Sequence, residues 1–91
     1  MKITVEYMAQ LRDAMGCSQQ SVELADGTAL AGLIASVASG GGRGRELLLD
    51  AQALPRASVL AFVDGRLRRA GDPTALSEGA TVVLSTPVSG G

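Results

Sequence analysis

Few groups in this 91-residue chain could do chemistry, and the most telling stands at its C-terminus. The sequence runs through the β-branched apolar segment Thr81-Val82-Val83-Leu84 and finishes Pro87-Val88-Ser89-Gly90-Gly91. Glycine has no Cβ, so Gly90-Gly91 makes a thin thread able to enter a narrow enzyme channel. The carboxylate of Gly91 on that thread is a handle that another enzyme can activate with ATP. Ordinary terminal fraying is the plainer reading of the same residues, because chain ends are often small and unordered.

The rest of the inventory narrows the choice. There is no histidine, and Cys17 is the only cysteine. That removes every Ser-His or Cys-His pair, every His-ligated metal, every thiolate zinc site and every internal disulfide. Chemistry here must use carboxylates, the lone thiol or a partner enzyme. No cation adjoins Cys17 in sequence, so it reads as an inert loop thiol, with a sulfur relay as the sharper alternative. Residues 40–45 (GGGRGR) have the look of a phosphate loop but lack its Gly-Lys-[Ser/Thr] ending and follow a helix; a flexible connector is expected.

The length allows one domain with one core, taken as residues 1–86, followed by a flexible tail at 87–91. Hydrophobic residues make up 46% of the chain, enough for a core built from Ala, Val, Leu and Ile. A net charge of -1 steers the chain towards neither nucleic acid nor an anionic membrane. No apolar stretch is long enough to span a bilayer, and Met1-Lys2 leads straight into a β-like segment without a signal-peptide pattern. A cytoplasmic protein is expected.

The elements that would position the tail follow from periodicity. Residues 2–8 alternate, with Ile3, Val5 and Tyr7 on one face and Met8 on the other, a strand pattern. Residues 9–15 (AQLRDAM) favour a short helical turn stopped by Gly16. Residues 19–24 alternate again, with Val22 and Leu24 inward. Thr28 is the expected N-cap of a helix running to Ser39, whose Leu30, Leu33, Ile34, Val37 and Ala38 form one apolar stripe. A second helix or turn is expected at 46–49. Residues 58–63 (SVLAFV) are nearly continuous apolar, as in a central strand buried on both faces. Asp64-Gly65 is a hairpin turn into a polar edge strand at 66–69 (RLRR), and the last strand covers 80–86.

One amphipathic helix covers only one face of such a sheet. Right-handed crossovers then set the first and last strands side by side. The expected fold is α+β: a β-grasp, ubiquitin-like, mixed five-stranded sheet packed on one main helix.

Several segments carry a family resemblance. Residues 5–16 (VEYMAQLRDAMG) resemble the "strand, F-A-x-[LV]-R-[ED], glycine" opening of sulfur-carrier proteins, and residues 76–82 (LSEGATV) resemble their "L-x-[DE]-G-D-x-V". Residues 61–65 (AFVDG) are close to "x-A-V-N-G", and the ending 87–91 is similar to "P-P-V-[ST]-G-G". In order and extent the chain resembles the MoaD/ThiS ubiquitin-like sulfur-carrier family, closest to the small subunits of molybdopterin synthase. It departs where those proteins carry Phe at the position of Met8, an aromatic or apolar residue near Ser85, and proline at the position of Thr86.

The resemblance implies that an E1-like enzyme adenylates the Gly91 carboxylate using ATP, and that sulfur from a persulfide donor displaces AMP to leave a thiocarboxylate. Ser89 and Gly90 would thread the tail. Met8, Arg12, Ser85, Pro87 and Val88 would meet a partner, such as the large subunit of molybdopterin synthase or another sulfur acceptor. The chain would be a co-substrate with no bound cofactor or metal, not a catalyst. Carriage of sulfur for thiazole, cysteine or tRNA thiolation remains open. So do a ubiquitin-like modifier joined through Gly91 and a β-grasp interaction module with an inert tail.

Overall fold

In the computed structural model, which describes residues 1–86, the strands are β1 (Lys2–Tyr7), β2 (Gln19–Glu23), β3 (Leu60–Val63), β4 (Arg66–Arg68) and β5 (Thr81–Ser85). The helices are α1 (Ala9–Met15), α2 (Leu30–Ala38) and α3 (Gly42–Leu48). They build the expected α+β, β-grasp sheet, ordered β2-β1-β5-β3-β4. β1 and β5 lie parallel in the middle, and the other pairings are antiparallel.

One face of the sheet carries the core. Alternation along β1 sends Ile3, Val5 and Tyr7 inward, and the register sets Val82 beside Val5 and Leu84 beside Tyr7. Ala61 and Val63 of β3 join the same layer opposite Leu84 and Val82. Against it packs the α2 stripe, and Leu30, Leu33, Ile34, Val37 and Ala38 are all buried. Leu11 of α1 and Leu48 of α3 close the ends of the same cluster.

Local chemistry sets the boundaries. Gly16 stops α1 in the left-handed region at φ 79°, its N–H donating to the Arg12 carbonyl at 3.1 Å. Asp64 (φ 49°) and Gly65 (φ 84°) both hold positive φ, as a two-residue hairpin between right-twisted strands requires.

Four expectations are corrected. Thr28 does not cap α2: its hydroxyl donates to the Ala25 carbonyl at 2.6 Å, and Ala29 is the N-cap without a side-chain bond. Its backbone is drawn away by the bridge between Ala29 and Ala75 and by the Leu76 N–H bonding to the Thr28 carbonyl. Residues 42–45 are not a connector but the first part of α3. Gly44 is buried there against the Met15 side chain, so a residue without Cβ lets α3 approach α1. Residues 58–63 do not form a strand buried on both faces. β3 begins at Leu60, and Leu60 and Phe62 point away from the core. Met8 lies just outside β1, although its N–H still bonds the Leu84 carbonyl at 3.0 Å.

Candidate functional site

The sheet face opposite the helices has no element covering it among the described residues, and apolar side chains gather there. In β5, Val83 stands between Glu6 of β1 and Phe62 of β3, and Phe62 in turn faces Leu67 of β4. One step along, Ser85 pairs with Leu60. Met8 keeps an extended backbone (φ -117°, ψ 156°), so strand alternation sends its side chain to the same face as Glu6. The Met8 bond to Leu84 then sets it beside Ser85. Met8 is 50% exposed, Leu60 40% and Leu67 63%, with Phe62 and Val83 partly covered by their neighbours. An apolar band therefore runs from Met8 past Ser85 and Leu60 to Val83, Phe62 and Leu67. Thr4, Glu6 and Thr81 border it on the polar side.

Sequence reasoning named Met8 and Ser85, and both fall in this band. It missed Phe62, Leu60 and Val83. The signal for them was the alternation in register with β5, hidden by an apolar run that looked buried throughout. Arg12 follows one helical turn after Met8, its N–H reaching the Met8 carbonyl at 3.4 Å. It lines a shallow depression with Asp13, Gly16, Cys17 and Ser18. Pro87, Val88, Ser89, Gly90 and Gly91 lie outside the described residues.

The end of β5 is held firmly. Thr86 is buried, and its hydroxyl oxygen accepts a bond from Gln10 Nε2 at 3.3 Å. Beneath the same end, the Tyr7 hydroxyl donates to Gln20 Oε1 at 2.7 Å, and Cys17 Sγ lies 3.9 Å from that oxygen. Burial, and secondarily the charge of Cys17, pushes the Tyr7 phenol well above its ordinary range. Among the described residues no cluster of three or more His, Cys, Asp or Glu side chains could hold a metal, and no helix is long and apolar enough to cross a membrane.

This sheet order with one uncovered apolar face defines a ubiquitin-like β-grasp protein. The chain belongs to the ThiS family, whose model matches residues 5–91. It is similar to a Pyrococcus furiosus protein described as molybdopterin converting factor subunit 1, with 25% identity over 97% of this chain and 99% of that one, at a TM-score of 0.76. SAMP1 of Haloferax volcanii shares the fold over the whole of both chains at 17% identity and a TM-score of 0.82. The small archaeal modifier protein 1 of Methanosarcina acetivorans does so over 99% of this chain and 96% of its own, at 17% identity and a TM-score of 0.78. No curated protein sequence matches. Family members are small ubiquitin-like sulfur carriers that work with E1-like activating enzymes and sulfur-accepting partners.

Proposed function

We propose that this chain is a sulfur carrier whose C-terminal Gly91 is converted to a thiocarboxylate, serving molybdopterin biosynthesis. The family match that extends through residue 91 carries the reading. The Pyrococcus furiosus likeness over nearly the whole of both chains favours the molybdopterin branch.

The chemistry needs a partner at each step. In an E1-like enzyme the Gly91 carboxylate attacks the α-phosphorus of ATP, and pyrophosphate leaves. The resulting acyl adenylate turns a poor leaving group into a good one. A persulfide sulfur then attacks the carbonyl carbon and AMP departs. A thiol takes up the donor sulfur as a disulfide, freeing the terminal sulfur as thiocarboxylate. In the large subunit of molybdopterin synthase, or another acceptor enzyme, this sulfur is the nucleophile and the acid-base groups are the partner's. Ser89 and Gly90 thread the channel, while Met8, Arg12, Ser85, Pro87 and Val88 contact the partner, with Phe62 and Val83 extending that contact.

Exchange of labelled pyrophosphate into ATP by the cognate activating enzyme tests the first step. The full chain supports exchange. Deletion of Gly91 or extension by one residue abolishes it with circular dichroism unchanged, and Gly90→Val slows it because a β-branched side chain crowds the thread. Full exchange with the Gly91 deletion would remove the carrier reading. Appearance of Gly91 in isopeptide linkage to lysine would favour a modifier instead.

A further inference from the structure

The sheet ends at β4, and that edge opens into a cleft of about 580 Å³ formed by residues 55–57, 59–60 and 67–71. Pro55, Leu60 and Leu67 give it apolar walls. Its charged lining is Arg56, Arg68 and Arg69, with no carboxylate among the lining residues. Arg56 is partly engaged, its Nε donating to the Glu46 carbonyl at 2.7 Å. Arg68 Nη1 is buried and has no hydrogen-bond partner among the described residues. Asp72, the acid whose carboxylate feels the Arg68 charge, accepts the Thr74 N–H at 2.8 Å and lies outside the lining. A buried guanidinium N–H without an acceptor is unfavourable, and a carboxylate oxygen is its strongest complement.

The backbone of the edge says what shape of ligand fits. The two-residue turn at Asp64-Gly65 makes Val63 and Arg66 the hydrogen-bonded pair that closes the hairpin, so Phe62 and Leu67 are a non-hydrogen-bonded pair. The N–H and carbonyl of Leu67 therefore point away from β3, towards the free edge. Side chains on β4 alternate: Arg66 and Arg68 on one face, Leu67 on the other. A strand added here would set its own side chains alternately beside arginine and beside leucine.

We propose that the β4 edge and its cleft bind an extended acidic segment of a partner protein, with carboxylates at alternate positions facing Arg68 and apolar side chains between them over Leu67. Charge selects this occupant. A second copy of the chain would bring Arg66, Arg68 and Arg69 against their own counterparts, and like charges across an edge oppose pairing. The inference does not rest on the sulfur-carrier reading, since it uses neither the tail nor Met8.

Amide NMR titration of the full isotope-labelled chain tests it, with a short blocked peptide alternating glutamate and valine as probe. A lysine-valine counterpart and inorganic phosphate serve as the comparison arms. The acidic peptide shifts the amides of Leu67, Arg68, Arg69 and Ala70 and slows hydrogen exchange at Leu67. Arg68→Gln weakens it by more than about tenfold, as loss of a charged hydrogen bond should. The exposed Leu67→Glu, which leaves the core intact, does likewise, and Met8→Asp has no effect. The proposal is overturned by absence of shifts, equal binding of the lysine peptide, or full binding by folded Arg68→Gln and Leu67→Glu variants. Shifts confined to the Met8–Val83 band overturn it too. Phosphate reproducing the whole effect would identify a small-anion site and exclude the peptide.

Discussion

Tyr7 shows how much one buried residue can decide. It is almost fully covered, bonded to Gln20, and its ionisation is opposed first by burial and then by the charge of Cys17. A phenol with a raised folded-state pKa contributes stability that is complete below the unfolded value of about 10 and is lost as pH rises beyond it. Tyr7 is the only tyrosine and there is no tryptophan, so the phenolate absorbance band reads this group alone. Its ionisation should appear only together with loss of the circular dichroism of the fold. Tyr7→Phe should flatten the alkaline loss of stability while costing about 1 kcal/mol at neutral pH for the Gln20 bond. A smooth phenolate titration near the ordinary value in a folded chain would contradict this. The inward face of Tyr7 was legible from the alternation of β1. The Gln20 partner was not, because it depends on the β1–β2 register and not on spacing along the chain. Thr86 was likewise noticed only as a departure from a proline; its burial under Gln10 needed the fold.

Periodicity carried the elements where one face is uniformly apolar. The α2 stripe reads directly from the sequence, and every member of it is buried. Leu33→Asp places an unpaired charge beneath the sheet and should cost about 4 kcal/mol or more, unfolding the domain. Ala35→Asp, on the exposed side of the same helix, should change stability by only about 0.5 kcal/mol in urea denaturation. Comparable losses from both would mean that the helix does not pack as described. Periodicity failed where tertiary contacts override local preference. Thr28 has the right side chain for a cap, but the Ala29–Ala75 bridge and the bond from Leu76 hold its backbone elsewhere. Three consecutive glycines argued for a connector, yet the third begins α3, and Gly44 further on serves the close approach to Met15. In β3 the unbroken apolar run concealed alternation, because Leu60 and Phe62 are as hydrophobic as the core residues Val59, Ala61 and Val63 that alternate with them.

At the scale of the molecule, the adjacency of β1 and β5 followed from element order and handed crossovers, and this parallel pair brings Met8 and Ser85 to one end of one face. The partner-facing role proposed for that face predicts a separation of binding from stability. Met8→Asp should weaken association with the activating enzyme by about 2 kcal/mol or more, as central interface residues do. Arg12→Ala at the rim should change it by less than about 1 kcal/mol. Neither should alter the melting temperature, since both residues are exposed. Calorimetric titration checks the contrast, and equal, negligible effects would set the interface elsewhere. The proposed tail chemistry rests on residue type and on the family resemblance and not on packing, since residues 87–91 lie outside the described residues. The central claim is that Gly91 becomes the sulfur-bearing group, and intact-protein mass spectrometry tests it most directly. After incubation with the cognate activating enzyme, ATP and a persulfide donor, the mass should rise by the difference between one sulfur and one oxygen. Fragment ions should assign that gain to Gly91, and omission of ATP should abolish it. An unchanged mass with an enzyme competent for adenylation, or a gain located on Cys17, would contradict the account.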